Sequence, residues 1–238
     1  MGVRSMGDST KNPNHADGVY GIVQQAYNKV LRPRLPRTIG TLAGVEARAP
    51  RLLDVNKDRP GYKRGMVDAI RAHVEPGMIV DEIGTGRGVL TVHCLREGAS
   101  HVRGYEAAEE MLEIAQETLT RNVGPSWSVD VGLHHAIVGE PGNVYGEAAE
   151  TVVPAHDLSC ADVLIMDVEG AEQPILRELG VAPETVIVET HPERGAPPSE
   201  TRELLEDIGY EIDRRQYEPG VDIEVKPVLV GSLEGHDD

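Results

Sequence analysis

The chain has 238 residues, of which 39% are hydrophobic: enough for one domain with a real core plus some extension, and too much for wholesale disorder. Lys and Arg number 23 against 40 Asp and Glu, a formal charge of −17, which disfavours a protein that grips phosphate backbones through clustered cations. No apolar run approaches the ~20 residues of a membrane-spanning helix, and Cys94 and Cys160 alone support neither a disulfide scaffold nor a zinc ribbon.

Residues 1–17 are polar and read as a flexible arm. Residues 18–60 form an N-terminal extension, in which Val19–Leu31 has one apolar helical face and ends at Pro33 and Pro36. Thr38–Asp54 alternates and predicts a hairpin. A domain over 61–230 follows, opening on a helix over Gly61–Val74. Apolar runs then alternate with helical segments. Met78–Glu82, His101–Tyr105, pieces of Trp127–Val138, Val163–Met166 and Thr185–Val188 predict strands. Gly88–Glu97, Ala107–Arg121, Gly170–Leu179 and Ser199–Ile208 predict helices. Tyr210–Arg215 and Ile223–Leu229 predict a closing antiparallel pair, and 231–238 an acidic, frayed tail. Near-continuous apolar strands alternating with helices imply an α/β fold: a doubly wound, mostly parallel sheet of Rossmann-like type.

Val80-Asp81-Glu82-Ile83-Gly84-Thr85-Gly86-Arg87-Gly88 lies between a buried strand and a helix. Glycines there let a ligand lie against the backbone and face amide groups at a helix start. A dinucleotide fold wants G-x-G-x-x-G, whereas the run here is G-x-G-x-G, led by Glu82 two positions before Gly84. This is the usual opening of class I S-adenosylmethionine-dependent methyltransferases; the alternative is a plain glycine-rich turn. Glu106 stands 22 residues after Gly84 and ends the second strand. A carboxylate there accepts hydrogen bonds from both ribose hydroxyls, unless it is merely a helix-start Glu favoured by the dipole. The two features together favour nucleoside binding. Every inferred parallel strand also ends in polar or ionisable residues: Glu82 and Gly84, Glu106, His135, Asp167 with Glu169, and Glu189 with His191. Ligands in open α/β sheets sit beyond that edge.

Asp167-Val168-Glu169-Gly170-Ala171-Glu172, followed by Ile175-Leu176, resembles the D-x-E-G-x-E segment of FkbM-type methyltransferases. Val186–Pro192 resembles that family's next strand, and Leu204-Leu205 before Gly209-Tyr210 its late helix and turn. The likeness runs from about Tyr62 to Leu229; Met166 stands where the family often has lysine. It implies O-methylation of a sugar or other small-molecule hydroxyl, with S-adenosyl-L-methionine as donor. The donor residues it implies are Glu82, Gly84, Thr85, Gly86, Gly88, Glu106, Ala107, His135 and Ala136.

Methyl transfer needs donor and acceptor held together and a group to take the acceptor's proton. Asp167, Glu169, Glu189 and His191 are the candidate bases or orienters. His191 has the right unperturbed pKa for a base, or else caps the turn before Pro192. Glu169 could instead open the following helix. Asp167, Glu169 and Glu189 are hard oxygen ligands able to hold Mg²⁺, but the salt-bridged reading is favoured over a metal. The rival functions are an RNA methyltransferase on the same fold, a non-catalytic nucleoside-binding or scaffolding protein and, more distantly, a dehydrogenase. With no apolar signal segment, a cytoplasmic location is expected. Only five residues are Lys and Phe is absent; an acidic surface poor in Lys suits concentrated salt, where screening removes self-repulsion.

Overall fold

The computed structural model describes residues 34–54, 56–140, 149–180 and 182–233. The expected arm over 1–17 and the helix Val19–Leu31, with any cover it gives the substrate side, lie outside these residues.

The expected hairpin is present as β1 (Arg37–Leu42) and β2 (Val45–Arg51), antiparallel across Ala43 and Gly44. β3 (Asp58–Arg59) pairs parallel to β1. Next come α1 (Arg64–His73), β4 (Ile79–Ile83), α2 (Val89–Arg96), β5 (His101–Glu106), α3 (Glu109–Asn122) and β6 (Val131–His135). The short strands β7 (Ile137–Val138) and β8 (Val152–Val153) pair with each other. β9 (Val163–Met166), α4 (Glu172–Glu178), β10 (Thr185–Glu189), α5 (Pro198–Ile208), β11 (Glu211–Gln216) and β12 (Pro227–Ser232) complete the chain.

Seven strands form one sheet in the order β11-β12-β10-β9-β4-β5-β6, with β12 antiparallel to both its neighbours. The closing strand runs later than the predicted Ile223–Leu229. Amide bonds from Val225 and Lys226 to the Asp222 carbonyl hold the preceding residues in a turn. Pro227, which has no amide to give a ladder, starts the strand. Gly231 and Ser232, expected in the tail, are therefore sheet residues paired to β10 and β11.

Side chains alternate across the strands. Val80, Val102, Ile165, Ile187 and Val230 face one core with α1, α2 and the hairpin residues Leu42, Val45 and Ala47. Ile83, Tyr105, Leu164, Met166, Val188 and Leu229 face the other, with α4 and α5. Burial on both faces explains the continuous apolar runs. The hairpin is packed into the first core rather than appended to it. The chain leaves β4 toward β5 and returns later to place β9 on β4's other side. The crevice at that reversal is where such sheets take ligands.

Candidate active site

At the carboxyl edge of the sheet lies an open cleft of about 930 Å³, with two chemically different ends. The first is built by the glycine loop after β4. The Gly84 and Thr85 amides donate to the Tyr105 carbonyl, at 2.9 and 3.1 Å, and so tie the loop to β5. Gly84 has φ +85°, and a Cβ on it would lie 2.0 Å from the Asp167 carbonyl oxygen. Only glycine lets the two diverging loops touch. Gly86 instead has its open side on the cleft, where an added Cβ would meet nothing closer than the Gly84 carbonyl at 3.9 Å. Glu106 accepts from the Gly86 amide at 2.6 Å through one carboxylate oxygen and from the Ala108 amide at 2.8 Å through the other. Burial pushes its carboxyl up, while those amides oppose the shift. Each oxygen keeps spare acceptor capacity. Thr85, Ala107, Met111, Ala136 and Val138 continue the wall.

The second end is a cluster of charges. β9 and β10 pair in register, Met166 opposite Val188, so the next residues on each, Asp167 and Glu189, emerge side by side. They lie on the face that α1 covers. Lys63, the residue before α1, donates from Nζ to Asp167 and, at 2.7 Å, to Glu189. Lys226, just before β12, reaches Glu189 at 2.8 Å. His191 Nε2 lies 3.2 Å from Glu189 and 3.6 Å from Asp167, while its Nδ1 bonds the buried carboxylate of Glu172 on α4.

Their ionisation follows from those contacts. Burial alone would lower His191, but Glu172 and Glu189 push it to about 10. That shift favours the charged imidazole, so of the two roles open to His191, base or orienter, its contacts with Glu172 and Glu189 favour the orienter. Burial alone would raise Glu189, yet Lys63, His191 and Lys226 hold it well below the usual carboxylate range, which favours a charged orienter over a base there. Burial pushes Asp167 up to about 6, with Lys63 opposing and Glu189 adding to the shift. Its side chain is 16% exposed, against 3% for Glu189 and 2% for His191, so Asp167 is the most accessible of the three from the cleft.

The remaining predicted residues divide. Gly84, Thr85, Gly86, Glu106, Ala107, Ala136, Asp167, Glu169, Glu189 and His191 all line the cleft. Glu169 sits at the rim, 44% exposed, 3.5 Å from the Arg194 guanidinium. Glu82 does not line the cleft: strand alternation turns it inward, where Thr91 of α2 donates to it. Its Oε1 has no hydrogen-bond partner among the described residues, and burial pushes its carboxyl up to about 8. His135 and Gly88 are also absent from the lining: His135 Nε2 lies 3.2 Å from the Ala107 carbonyl and braces that backbone, and Gly88 faces Ala115 of α3, 3.2 Å from where its Cβ would stand. Sequence reasoning missed Lys63, Lys226 and the role of Glu172.

Asp167, Glu189 and His191 offer ligand atoms within 4.8 Å of one another, a donor set that could suit a divalent ion. The ammonium groups of Lys63 and Lys226 already occupy that corner, and Glu169 stands apart from it. These residues do not fit a metal as they stand.

Among solved structures, precorrin-6y C5,15-methyltransferase from Geobacter metallireducens GS-15 matches 78% of this chain and 94% of its own, at 13% identity and TM-score 0.51. The chain has the Rossmann-like methyltransferase fold. Magnesium protoporphyrin IX methyltransferase from Synechocystis PCC 6803, with bound SAM, matches 90% of this chain and 96% of its own, at 20% identity and TM-score 0.50. P. horikoshii TYW2, in complex with MeSAdo, matches 84% and 72%, at 16% identity and TM-score 0.52. No family model and no curated protein matches the sequence. In this methyltransferase fold the cleft lies where the strand order reverses, between the loops that follow β4 and β9. No helix among the described residues is long and apolar enough to cross a membrane.

Proposed function

We propose that the protein is an S-adenosylmethionine-dependent methyltransferase acting on a hydroxyl oxygen of a sugar or other small molecule, in the manner of the FkbM family its motifs resemble. One observation carries the reading. The Glu106 carboxylate bridges the glycine loop and the start of α3 at one end of the cleft, and the Asp167 carboxylate, bonded by Lys63, stands at the other.

The residues fit the donor. Gly86 leaves room for a ligand against the loop, Glu106 supplies the ribose acceptor, and Ala107, Met111, Ala136 and Val138 offer an apolar wall for a base. S-adenosyl-L-methionine, when bound, supplies an electrophilic methyl carbon on a sulfonium. The chain's own residues do the rest. Asp167 accepts the hydroxyl proton on a carboxylate oxygen as the new oxygen–methyl bond forms and the sulfur–methyl bond breaks. Its pKa near 6 keeps it ionised yet proton-accepting at neutral pH. Lys63 bonds it, His191 faces it at 3.6 Å, and Tyr62 and Tyr217 wall the acceptor side.

The test is incubation with methyl-labelled donor and fractionated cell extract. Label on a glycan or low-mass fraction is expected. Label on RNA supports the nucleic-acid rival, and bound donor with no transfer supports a binding protein. The cytoplasm of a cell rich in salt is the proposed setting, from the charge of −17 and the scarcity of Lys.

A further inference from the structure

Lys63 belongs to no motif of the glycine loop or of the strand ends. It is the residue before α1, held in the left-handed conformation at φ 47°. A non-glycine residue in that region is uncommon and needs its surroundings to keep it there. The surroundings do so. Its amide donates to Glu218 at 3.0 Å, the Gly65 amide two residues on donates to the Tyr217 carbonyl at 2.9 Å, and Arg59 binds the same Glu218 carboxylate at 3.2 Å. The segment before α1 is thereby clasped to the loop that leads into β12. Both segments line the acceptor end of the cleft, one through Tyr62 and Lys63, the other through Tyr217 and Lys226. The clasp aims one ammonium between two carboxylates, and the side chain of Lys63 is only 10% exposed.

We propose that Lys63 is a positioning residue of the transfer site: its ammonium, locked by the clasp, keeps Asp167 ionised and aimed into the cleft. This rests on the methyl-transfer reading, in which Asp167 takes the acceptor's proton. Asp167 has Glu189 beside it, and two buried carboxylates that close do not both ionise without a cation between them. Lys226 is spent on Glu189 and, at 3.5 Å, Glu193; His191 pairs with Glu172 and Glu189 and lies 3.6 Å from Asp167, beyond a hydrogen bond. Among the described residues, Lys63 is the cation that bonds Asp167 directly. Burial opposes its charge, and Asp167 and Glu189 more than restore it, so it stays protonated across the working range.

The test needs neither donor nor acceptor. In protein labelled with ¹³C at aspartate carboxyls, the Asp167 signal is assigned by its loss in Asp167→Asn and titrated in the full chain. Lys63→Gln keeps a hydrogen-bond donor and removes the charge; Lys63→Met removes both; Lys63→Arg keeps the charge. Both neutral variants should raise the Asp167 midpoint by at least about one pH unit, a tenfold change in its protonation equilibrium, and Lys63→Arg should restore it. An unchanged midpoint in folded Lys63→Gln overturns the proposal, as does an equal shift in Lys63→Arg. Failure of the methyltransferase reading shows separately, as absence of donor binding to wild-type protein.

Discussion

Replacing Glu82 by Gln should change how stability depends on pH. Glu82 is fully buried beneath the glycine loop, with Thr91 on one oxygen and no partner among the described residues on the other. Its carboxyl is pushed up to about 8, from 4.5 in an open chain. An acid raised in the folded state keeps its proton while the unfolded chain loses it. Wild-type stability therefore falls as pH rises above the unfolded value, and the loss is complete once the pH exceeds the folded value. Each pH unit in that window costs about 1.4 kcal/mol, so roughly 3 kcal/mol separates pH 5 from pH 7. Burial leaves no solvent to screen the effect. The amide introduced by Glu82→Gln does not titrate, and whatever packing cost it carries is the same at both pH values. Urea unfolding of the two proteins at both pH values is the assay. The variant should gain about 2–3 kcal/mol relative to wild type between them. Parallel pH profiles would refute the picture of a protonated acid at this position.

Asp167→Asn should slow methyl transfer by tenfold or more while leaving donor affinity nearly intact; wild-type turnover should rise with pH through about 6 as Asp167 ionises, and a flat profile would remove it as the base. Gly84→Ala should fold poorly or lower the thermal midpoint by several degrees, because the new Cβ would lie 2.0 Å from a backbone oxygen; calorimetry showing no change would contradict the close approach of the two loops. Stability should rise with KCl into the molar range; equal unfolding midpoints in dilute and molar salt would count against the high-salt setting.

Local signals made most of the sheet legible. Val163–Met166 is continuous and apolar because both faces of β9 are covered, and its boundaries match the prediction. The 22-residue step from Gly84 to Glu106 was readable because one helix and one strand separate them, a spacing that the doubly wound fold imposes. Glu82 was misplaced for an equally local reason: adjacency to the glycines put it in the motif, but the two-residue period of β4 turns it to the core with Val80. The role of His191 stayed open between base and orienter because its sequence neighbours say nothing of Glu172, which α4 delivers from 19 residues away. Lys63 lies 104 residues from Asp167 and Lys226 lies 37 beyond Glu189, so their convergence depends on the completed sheet and carries no local pattern. Strand ends announce which side chains reach the cleft's edge. The charges that set their ionisation come from elsewhere in the chain.

Titration of S-adenosyl-L-methionine into wild-type protein and into Glu106→Ala, by calorimetry, tests the central claim most directly. The account predicts one-to-one binding by wild type, weakened in the variant by roughly 1–3 kcal/mol as the charge-assisted bonds from the ribose are lost. No binding by wild type, or equal binding by both, would contradict it.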